Sequence, residues 1–158
     1  MAKLTIGQTT RCRLIYEVLN QYFNAHNAKG NQLDGLQSSV WPQSSPFLSN
    51  PNDKCLRETV VWFPKITDDP KACTSNGWLN VVSDDGKSIT TTYIGDKSES
   101  EVEIVAARYV GKDHIVFVKD ATTDELVFFG VFSCSKKGNV RMYTRIAEDV
   151  NTADWQRR

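Results

Sequence analysis

Short apolar runs separated by polar turns fill the second half of this chain. Six runs are rich in β-branched and aromatic side chains, namely residues 59–63, 78–82, 88–94, 114–119, 126–134 and 140–146. Such runs, punctuated by Gly, Asp and Asn, are typical of antiparallel strands joined by tight turns. The pair Asp85–Gly86 lies between the second and third runs and predicts a hairpin, because glycine adopts a positive φ without steric cost.

The run 126–134 is apolar at both alternating positions, which predicts a central strand covered on both faces. Gly130 within it predicts a bulge or a barrel corner, where a strand bends sharply. Upstream, apolar and polar side chains also alternate between residues 101 and 110. We therefore interpret residues 101–110 as the first of four strands in an antiparallel meander.

The N-terminal half has a different pattern. Leu4 and Ile6 predict a short strand, and an apolar stripe at helical spacing follows at Leu14, Ile15, Val18, Leu19 and Tyr22. This stripe predicts a helix of about residues 9–23, with Thr9 and Thr10 as candidate N-caps. Residues 24–58 are rich in Asn, Gln, Ser, Gly and Pro and predict a long polar loop.

These patterns predict a single domain over residues 1–158, since this length suffices to bury one core. The fold class is α+β. We expect the N-terminal helix to pack on a strongly bent antiparallel sheet, or on a small, partly open β-barrel, formed by residues 59–146. Residues 147–158 would form a C-terminal tail.

The formal net charge is zero and the pI is about 6.7. This balance argues against a strongly basic nucleic-acid binder and against an acidic mimic of nucleic acid, but it permits a local basic patch. The sequence has no apolar run of membrane-spanning length and no signal peptide. We therefore expect a soluble, cytoplasmic protein that does not contact membranes.

Motifs of the common catalytic sites are absent from the sequence. It contains no phosphate-binding Gly-rich motif, no nucleophile elbow and no Cys-x-x-Cys pair. His114 beside Asp113 is interpreted as a turn residue, and the acidic pairs Asp68–Asp69 and Asp84–Asp85 as solvated turns. We expect a non-enzymatic protein with no catalytic residue, metal ligand or cofactor. A hydrolase that uses these carboxylates to hold a metal is the weakest alternative.

A binding surface is the better candidate. Arg141, Tyr143 and Arg145 alternate along one strand, so that an aromatic ring lies between two guanidinium groups, and Lys136 and Lys137 precede them. Such a row can contact phosphates and stack on a base, which predicts a nucleic-acid-binding module. An ordinary solvated strand face with cross-strand pairs is the alternative interpretation.

A second functional hypothesis is a protein partner. Trp41 and Phe47 lie in the polar loop and Trp78 borders polar sequence, and aromatic residues of this kind often dominate protein interfaces. The chain would then be a small inhibitor of a host defence nuclease, as in phage counter-defence against CRISPR or restriction systems. The sequence leaves its oligomeric state open.

Three segments carry a resemblance to a known group of domains: Ile115–Val118, Phe128–Phe132 and Tyr143–Ala147. Together they resemble the small SRA and PUA-like β-barrel domains that accompany bacterial and phage restriction systems. The resemblance covers about the last third of the chain. It implies recognition of DNA, including modified bases, with Arg141, Tyr143 and Arg145 as candidate contacts.

Overall fold

The computed structural model describes residues 3–23, 40–41, 48–49, 59–72, 77–152 and 156–157. Within these ranges the strands are β1 (Lys3–Thr5), β2 (Val40–Trp41), β3 (Leu48–Ser49), β4 (Thr59–Trp62), β5 (Trp78–Val82), β6 (Ser88–Tyr93), β7 (Asp113–Lys119), β8 (Leu126–Lys137), β9 (Val140–Ala147), β10 (Asp149–Asn151) and β11 (Gln156–Arg157). The helices are α1 (Ile15–Phe23) and α2 (Glu99–Ala107), and Pro70–Ala72 forms a 3-10 turn. The α+β class is confirmed.

One large sheet carries its strands in the order β11-β3-β4-β7-β8-β9-β6-β5, and β2 also pairs with β4. Six of these strands, from β4 to β5, curl strongly into a half-barrel, so the predicted strong bend is confirmed. The expectation of a wholly antiparallel sheet is wrong at one place, because β4 and β7 run parallel. A parallel pair requires a long crossover, and the β5–β6 hairpin and α2 lie within it.

Residues 99–107 form α2, so the strand predicted at 101–110 is wrong. The helix begins with Ser98 as its N-cap: the Ser98 hydroxyl accepts a hydrogen bond from the Glu101 backbone N–H at 3.4 Å and donates one to the Glu101 carboxylate at 2.9 Å. Val102 and Ala106 are buried and lie four residues apart, the spacing of one helix face. The alternation of apolar and polar residues here was a misleading strand signal.

Helix α1 begins at Ile15, six residues later than predicted. The two threonines proposed as caps pair with the sheet instead. Thr9 forms a β-bridge with Val127, and the Thr10 hydroxyl donates a hydrogen bond to the Leu126 carbonyl at 2.7 Å. These partners lie more than 100 positions away in the sequence, so helical spacing could not reveal them.

Most of the predicted polar loop, residues 24–58, lies outside the described residues. Within that range, β2 and β3 are short strands, and both pair with β4. The predicted C-terminal tail contributes two strands, since β10 pairs with β1 and β11 pairs with β3. The two ends of the chain are therefore joined by hydrogen-bonded strands at β1 and β10.

Two buried clusters lie on the strands of the sheet. The helix-side core contains Leu4, Cys12, Val18, Leu19, Phe23, Val61, Phe63, Ile115, Phe117, Leu126, Phe128, Val131 and Val150. The aromatic cluster contains Val60, Trp62, Ile89, Tyr109, Val116, Phe132, Cys134 and Tyr143. Neighbouring residues of β4 and β7 alternate between the two clusters, as side chains on opposite faces of a sheet must.

A bulge at Gly130 changes which face of the sheet the side chains of β8 point to. Val116 pairs with Gly130 whereas the next residue, Phe117, pairs with Phe128, and Gly130 has a φ of 127°. One residue is therefore inserted in β8, which switches the side chains to the opposite face. Phe128 lies in the helix-side core and Phe132 in the aromatic cluster. The bulge predicted at Gly130 is confirmed.

Candidate functional site

The aromatic cluster brings together rings from three strands and from the turn after α2. Trp62 of β4 stacks on Tyr143 of β9, with ring centroids 4.5 Å apart and an interplanar angle of 28°. The His114 ring of β7 meets the edges or faces of three rings, at 4.9 Å from Tyr143, 5.8 Å from Trp62 and 5.9 Å from Tyr109. This arrangement is held by β7 and β8, which place His114 opposite Phe132.

Arg141 extends this cluster toward the edge of the sheet. Its guanidinium carbon lies 4.6 Å from the centroid of the Trp78 ring, 5.8 Å from that of Tyr109 and 5.9 Å from that of Tyr143. These distances are within the range of cation–π attraction, which is strongest over tryptophan. The side chain is only 7 % exposed, so Arg141 places a positive charge against several rings in a largely water-free environment.

His114 is neutral in this environment. Its Nδ1 lies 3.1 Å from the Lys112 carbonyl oxygen, and because a carbonyl only accepts hydrogen bonds, Nδ1 carries the proton. Burial lowers the pKa of His114 to about 3, assisted by the positive charges of Arg141 and Lys112 and opposed by the Lys112 hydrogen bond. The unprotonated Nε2 is therefore a hydrogen-bond acceptor, and it has no partner among the described residues.

Tyr143 and Cys134 of the aromatic cluster are neutral as well. Burial raises the pKa of the Tyr143 hydroxyl and that of the Cys134 thiol, and these two residues face each other across β8 and β9. Arg141 acts in the opposite direction on both groups but does not overcome the loss of water. The site therefore combines neutral aromatic and polar groups with the fixed positive charge of Arg141.

Arg145 lies at the bulge of β8. Its Nη2 donates a 2.7 Å hydrogen bond to the Phe129 carbonyl, and its guanidinium carbon lies 4.9 Å from the Phe129 ring centroid and 5.4 Å from that of Phe132. A Cβ atom added to Gly130 would lie 2.7 Å from Arg145 Nε. The Arg145 side chain therefore occupies space that is available only because residue 130 is glycine.

The predicted row on β9 faces the buried side of the sheet. Arg141 and Tyr143 are buried and Arg145 is half-buried, whereas Met142 and Ile146 on the opposite face are exposed. Lys136 lies beyond this row and forms a 3.2 Å ion pair with Glu103. Lys137 is exposed at the turn between β8 and β9.

Of the three predicted partner-binding residues, only Trp78 lies wholly within the described part of the chain. Trp41 lies in β2 opposite Val61, and its side chain is outside the described residues, as is the whole of Phe47. Trp78 is part of the arginine and aromatic arrangement: it contacts Arg141 and also meets the Tyr93 ring at 5.2 Å. The structure therefore places Trp78 against Arg141 of the predicted row on β9.

Sequence reasoning missed three residues of the site: Trp62 and Tyr109 of the aromatic cluster, and His114, whose ring contacts that cluster. Trp62 was noted only as a strand residue, and Tyr109 was assigned to a strand that does not exist. The capping pattern Ser98–Glu101 would have placed Tyr109 after a helix. A polar His114 at the start of an apolar run was a signal, since buried imidazoles need partners.

Two further observations apply to the described residues alone. They contain no group of three or more His, Cys, Asp or Glu side chains placed to hold a metal ion. Neither of the two helices found there has the length and apolar character that a membrane crossing requires.

Comparisons with known proteins give a family and a fold. The family model of the SET and RING associated (SRA) domain matches residues 3–152, in agreement with the resemblance noted from the sequence. Among solved structures, the 5-hydroxymethylcytosine-specific restriction enzyme AbaSI is similar, with a TM-score of 0.63 and 18 % identity. The match covers 94 % of this chain and 42 % of that enzyme, so this chain corresponds to less than half of it.

At this identity the likeness to AbaSI concerns the fold. No curated protein matches by sequence. None of these comparisons points to an inhibitor of a nuclease, so that alternative gains no support.

Proposed function

Because this chain belongs to the SRA domain family, we propose that it is a DNA-binding module that recognises a modified cytosine. The name of the structurally similar enzyme specifies 5-hydroxymethylcytosine, which supports this choice of base and a setting in bacterial or phage restriction. The proposal concerns binding alone. DNA cleavage is not transferred to this chain, which corresponds to 42 % of that enzyme.

The observation that carries the proposal is the set of contacts that joins Trp78, Arg141, Tyr143 and Trp62, which we call the base-binding row. A protein that inspects a single base takes it out of the duplex and holds it by stacking and by hydrogen bonds to its edge. Aromatic faces and a guanidinium plane supply the stacking, and Arg141 also supplies hydrogen-bond donors. The chain has this combination on the curled sheet, next to the exposed lysine at the β8–β9 turn.

Roles for the remaining candidates follow from their positions. We propose that Lys136 and Lys137 contact phosphates, since they lie at the end of the strand pair that carries Arg141. Arg145 supports the bulge rather than the base, because its guanidinium is hydrogen-bonded to the Phe129 carbonyl. Such a module acts on DNA inside a bacterial cell, and a cytoplasmic location is part of the proposal.

Duplexes that differ at one position test this function. Fluorescence anisotropy would measure the Kd for otherwise identical duplexes containing cytosine, 5-methylcytosine or 5-hydroxymethylcytosine. We expect one modified duplex to bind at least about tenfold more tightly than the unmodified one, which corresponds to one good hydrogen bond or stacking contact. Equal affinity for all three duplexes would contradict the proposal.

The Trp78→Ala variant tests the stacking surface. Trp78 is only partly buried, on the edge strand β5, so its removal leaves both buried clusters intact. We expect this variant to lose the preference for modified DNA while keeping its affinity for unmodified DNA, because phosphate contacts remain. The Lys119→Ala variant, which changes an exposed lysine paired with Asp124, is the matched control.

A further inference from the structure

Three buried nitrogen atoms next to the aromatic cluster lack hydrogen-bond partners among the described residues, and one of them is Nε of Arg145, whose Nη2 donates to the Phe129 carbonyl. The other two carry the inference. They are Nε2 of His114, whose residue is 1 % exposed, and Nε of Arg141, whose residue is 7 % exposed. Buried polar atoms without a partner are rare in folded proteins, and each one calls for a physical explanation. Here both atoms belong to side chains that lie against the Tyr143 ring in the proposed site.

The two groups lie against the same two rings. The His114 ring lies 5.9 Å from the Tyr109 ring and 4.9 Å from the Tyr143 ring. The Arg141 guanidinium carbon lies 5.8 Å and 5.9 Å from the same two rings. Both groups therefore share one small environment, bordered by Tyr109 and Tyr143.

His114 Nε2 can accept a hydrogen bond, whereas Arg141 can only donate hydrogen bonds. Nδ1 of His114 donates to the Lys112 carbonyl, which leaves Nε2 as an acceptor. Arg141 has donors only, since a guanidinium carries no free lone pair. The pair consequently offers one acceptor and one or more donors, with little competition from water.

We infer that His114 and Arg141 together recognise the edge of the base, with His114 Nε2 accepting from an exocyclic amino group and Arg141 donating to the adjacent ring acceptors. Cytosine carries an amino group at C4, with acceptors at N3 and O2. Thymine and uracil carry a carbonyl at C4, which would place two acceptors against each other. The inference rests on the proposed function. It states that the site selects bases with an amino group at C4, independently of the substituent at C5.

The test isolates this one group. Two pairs of duplexes differ at the target base only by the 4-amino or 4-oxo group and the proton on N3: 5-methylcytosine against thymine, and 5-hydroxymethylcytosine against 5-hydroxymethyluracil. Each target is placed opposite an abasic site, so that base pairing does not contribute. We expect the wild-type protein to prefer the amino member by about tenfold or more, because the oxo member leaves a buried acceptor unpaired.

Two substitutions assign the preference to His114. His114→Phe keeps an aromatic ring and removes both nitrogen atoms, and the amino preference should fall to near unity. His114→Gln places an amide oxygen close to the position of Nε2, and a preference of several-fold should remain. Thermal unfolding of each variant shows whether it is folded.

A nitrogen NMR signal from wild-type Nε2 should also shift on saturation with the 5-hydroxymethylcytosine duplex and stay unchanged with the 5-hydroxymethyluracil duplex.

The outcomes separate this inference from the proposed function. If the wild-type protein prefers modified cytosine to cytosine but does not distinguish amino from oxo members, the function stands and the role of His114 is overturned. An unchanged preference in folded His114→Phe, or an unchanged Nε2 signal, overturns it too. If no modified duplex is preferred over cytosine, the proposed function itself is wrong and the inference falls with it.

Discussion

His114 is costly to protonate where it lies. Its ring is enclosed by Trp62, Tyr109 and Tyr143, and the charged groups that act on it, Lys112 and Arg141, are both positive. Burial and these two charges favour the neutral imidazole, and only the hydrogen bond to the Lys112 carbonyl favours the charged form. The lowered pKa thus follows from the position of the residue between β4, β7 and β9.

This lowered pKa predicts how stability depends on pH. The unfolded chain binds the His114 proton below about pH 6.5, whereas the folded protein binds it only near pH 3. The stabilising contribution is therefore complete above pH 6.5 and is lost as the pH falls toward 3, at up to about 1.4 kcal/mol per pH unit. Urea unfolding should show the wild-type protein losing about 1.6 kcal/mol more than His114→Phe between pH 6.5 and 5. Parallel curves for the two proteins would contradict the assignment.

The backbone conformation and the close neighbours of residue 130 require glycine at this position. Its φ of 127° is disfavoured for residues with a Cβ atom, and such an atom would lie 2.7 Å from Arg145 Nε. We expect Gly130→Ala to lower the free energy of unfolding by about 3 kcal/mol, from strain and steric overlap together. Gly138→Ala is the matched control, because Gly138 also has a positive φ but no neighbour within 4 Å. Its cost should be about 1 kcal/mol, and equal losses in denaturant unfolding would show that Arg145 is not displaced.

At the scale of elements, α2 depends on its N-terminal cap. Ser98 accepts from the Glu101 N–H and donates to its carboxylate, and the helix leads directly to Tyr109 in the aromatic cluster. Ser98→Ala should lower the free energy of unfolding by about 1 kcal/mol, whereas Ser98→Asp should retain most of it, because aspartate caps helices well. Guanidinium unfolding of the two variants decides this. An equal loss in both would mean that the hydroxyl does not act as the cap.

Local sequence patterns correctly predicted the elements whose conformation depends on neighbouring residues in the chain. The β5–β6 hairpin was found from Asp85–Gly86, and β7, β8 and β9 from their β-branched runs. The start of α1 was missed because Thr10 pairs with Leu126, and α2 because Ile104, which is 71 % exposed, completed an apparent strand alternation. The parallel pairing of β4 with β7 depends on contacts between distant segments, which short-range periodicity cannot predict.

At the scale of the whole molecule, the same limit applies to the site. Alternation on β9 correctly grouped Arg141, Tyr143 and Arg145 on one face, but that face is the buried one. Which residues oppose them depends on the strand order, and this order brings Trp62 and His114 to Tyr143. A set of residues from distant segments can therefore form a site with no motif in the sequence.

Net charge also conceals a difference between the two ends of the half-barrel. Lys137 lies at the β8–β9 turn, one residue from Lys136, which pairs with Arg141 across the strands. Lys119 pairs with Leu126 at the opposite end of β8, and the 12 residues of this strand would span about 36 Å if fully extended. Lys119 and Lys137 are thus both exposed but lie in different surroundings, and of the two only Lys137 lies near the base-binding row.

This separation predicts where DNA phosphates contact the protein. Lys137→Ala should weaken binding to modified and unmodified duplexes by the same factor, and should reduce the slope of log K against log salt by about one. Lys119→Ala should leave the affinity and the slope unchanged, because phosphates bound near Arg141 are far beyond the screening length from Lys119. Anisotropy titrations from 50 to 200 mM salt would measure both variants. Equal changes in the two slopes would place the DNA elsewhere on the protein, even if the preference for modified cytosine were found.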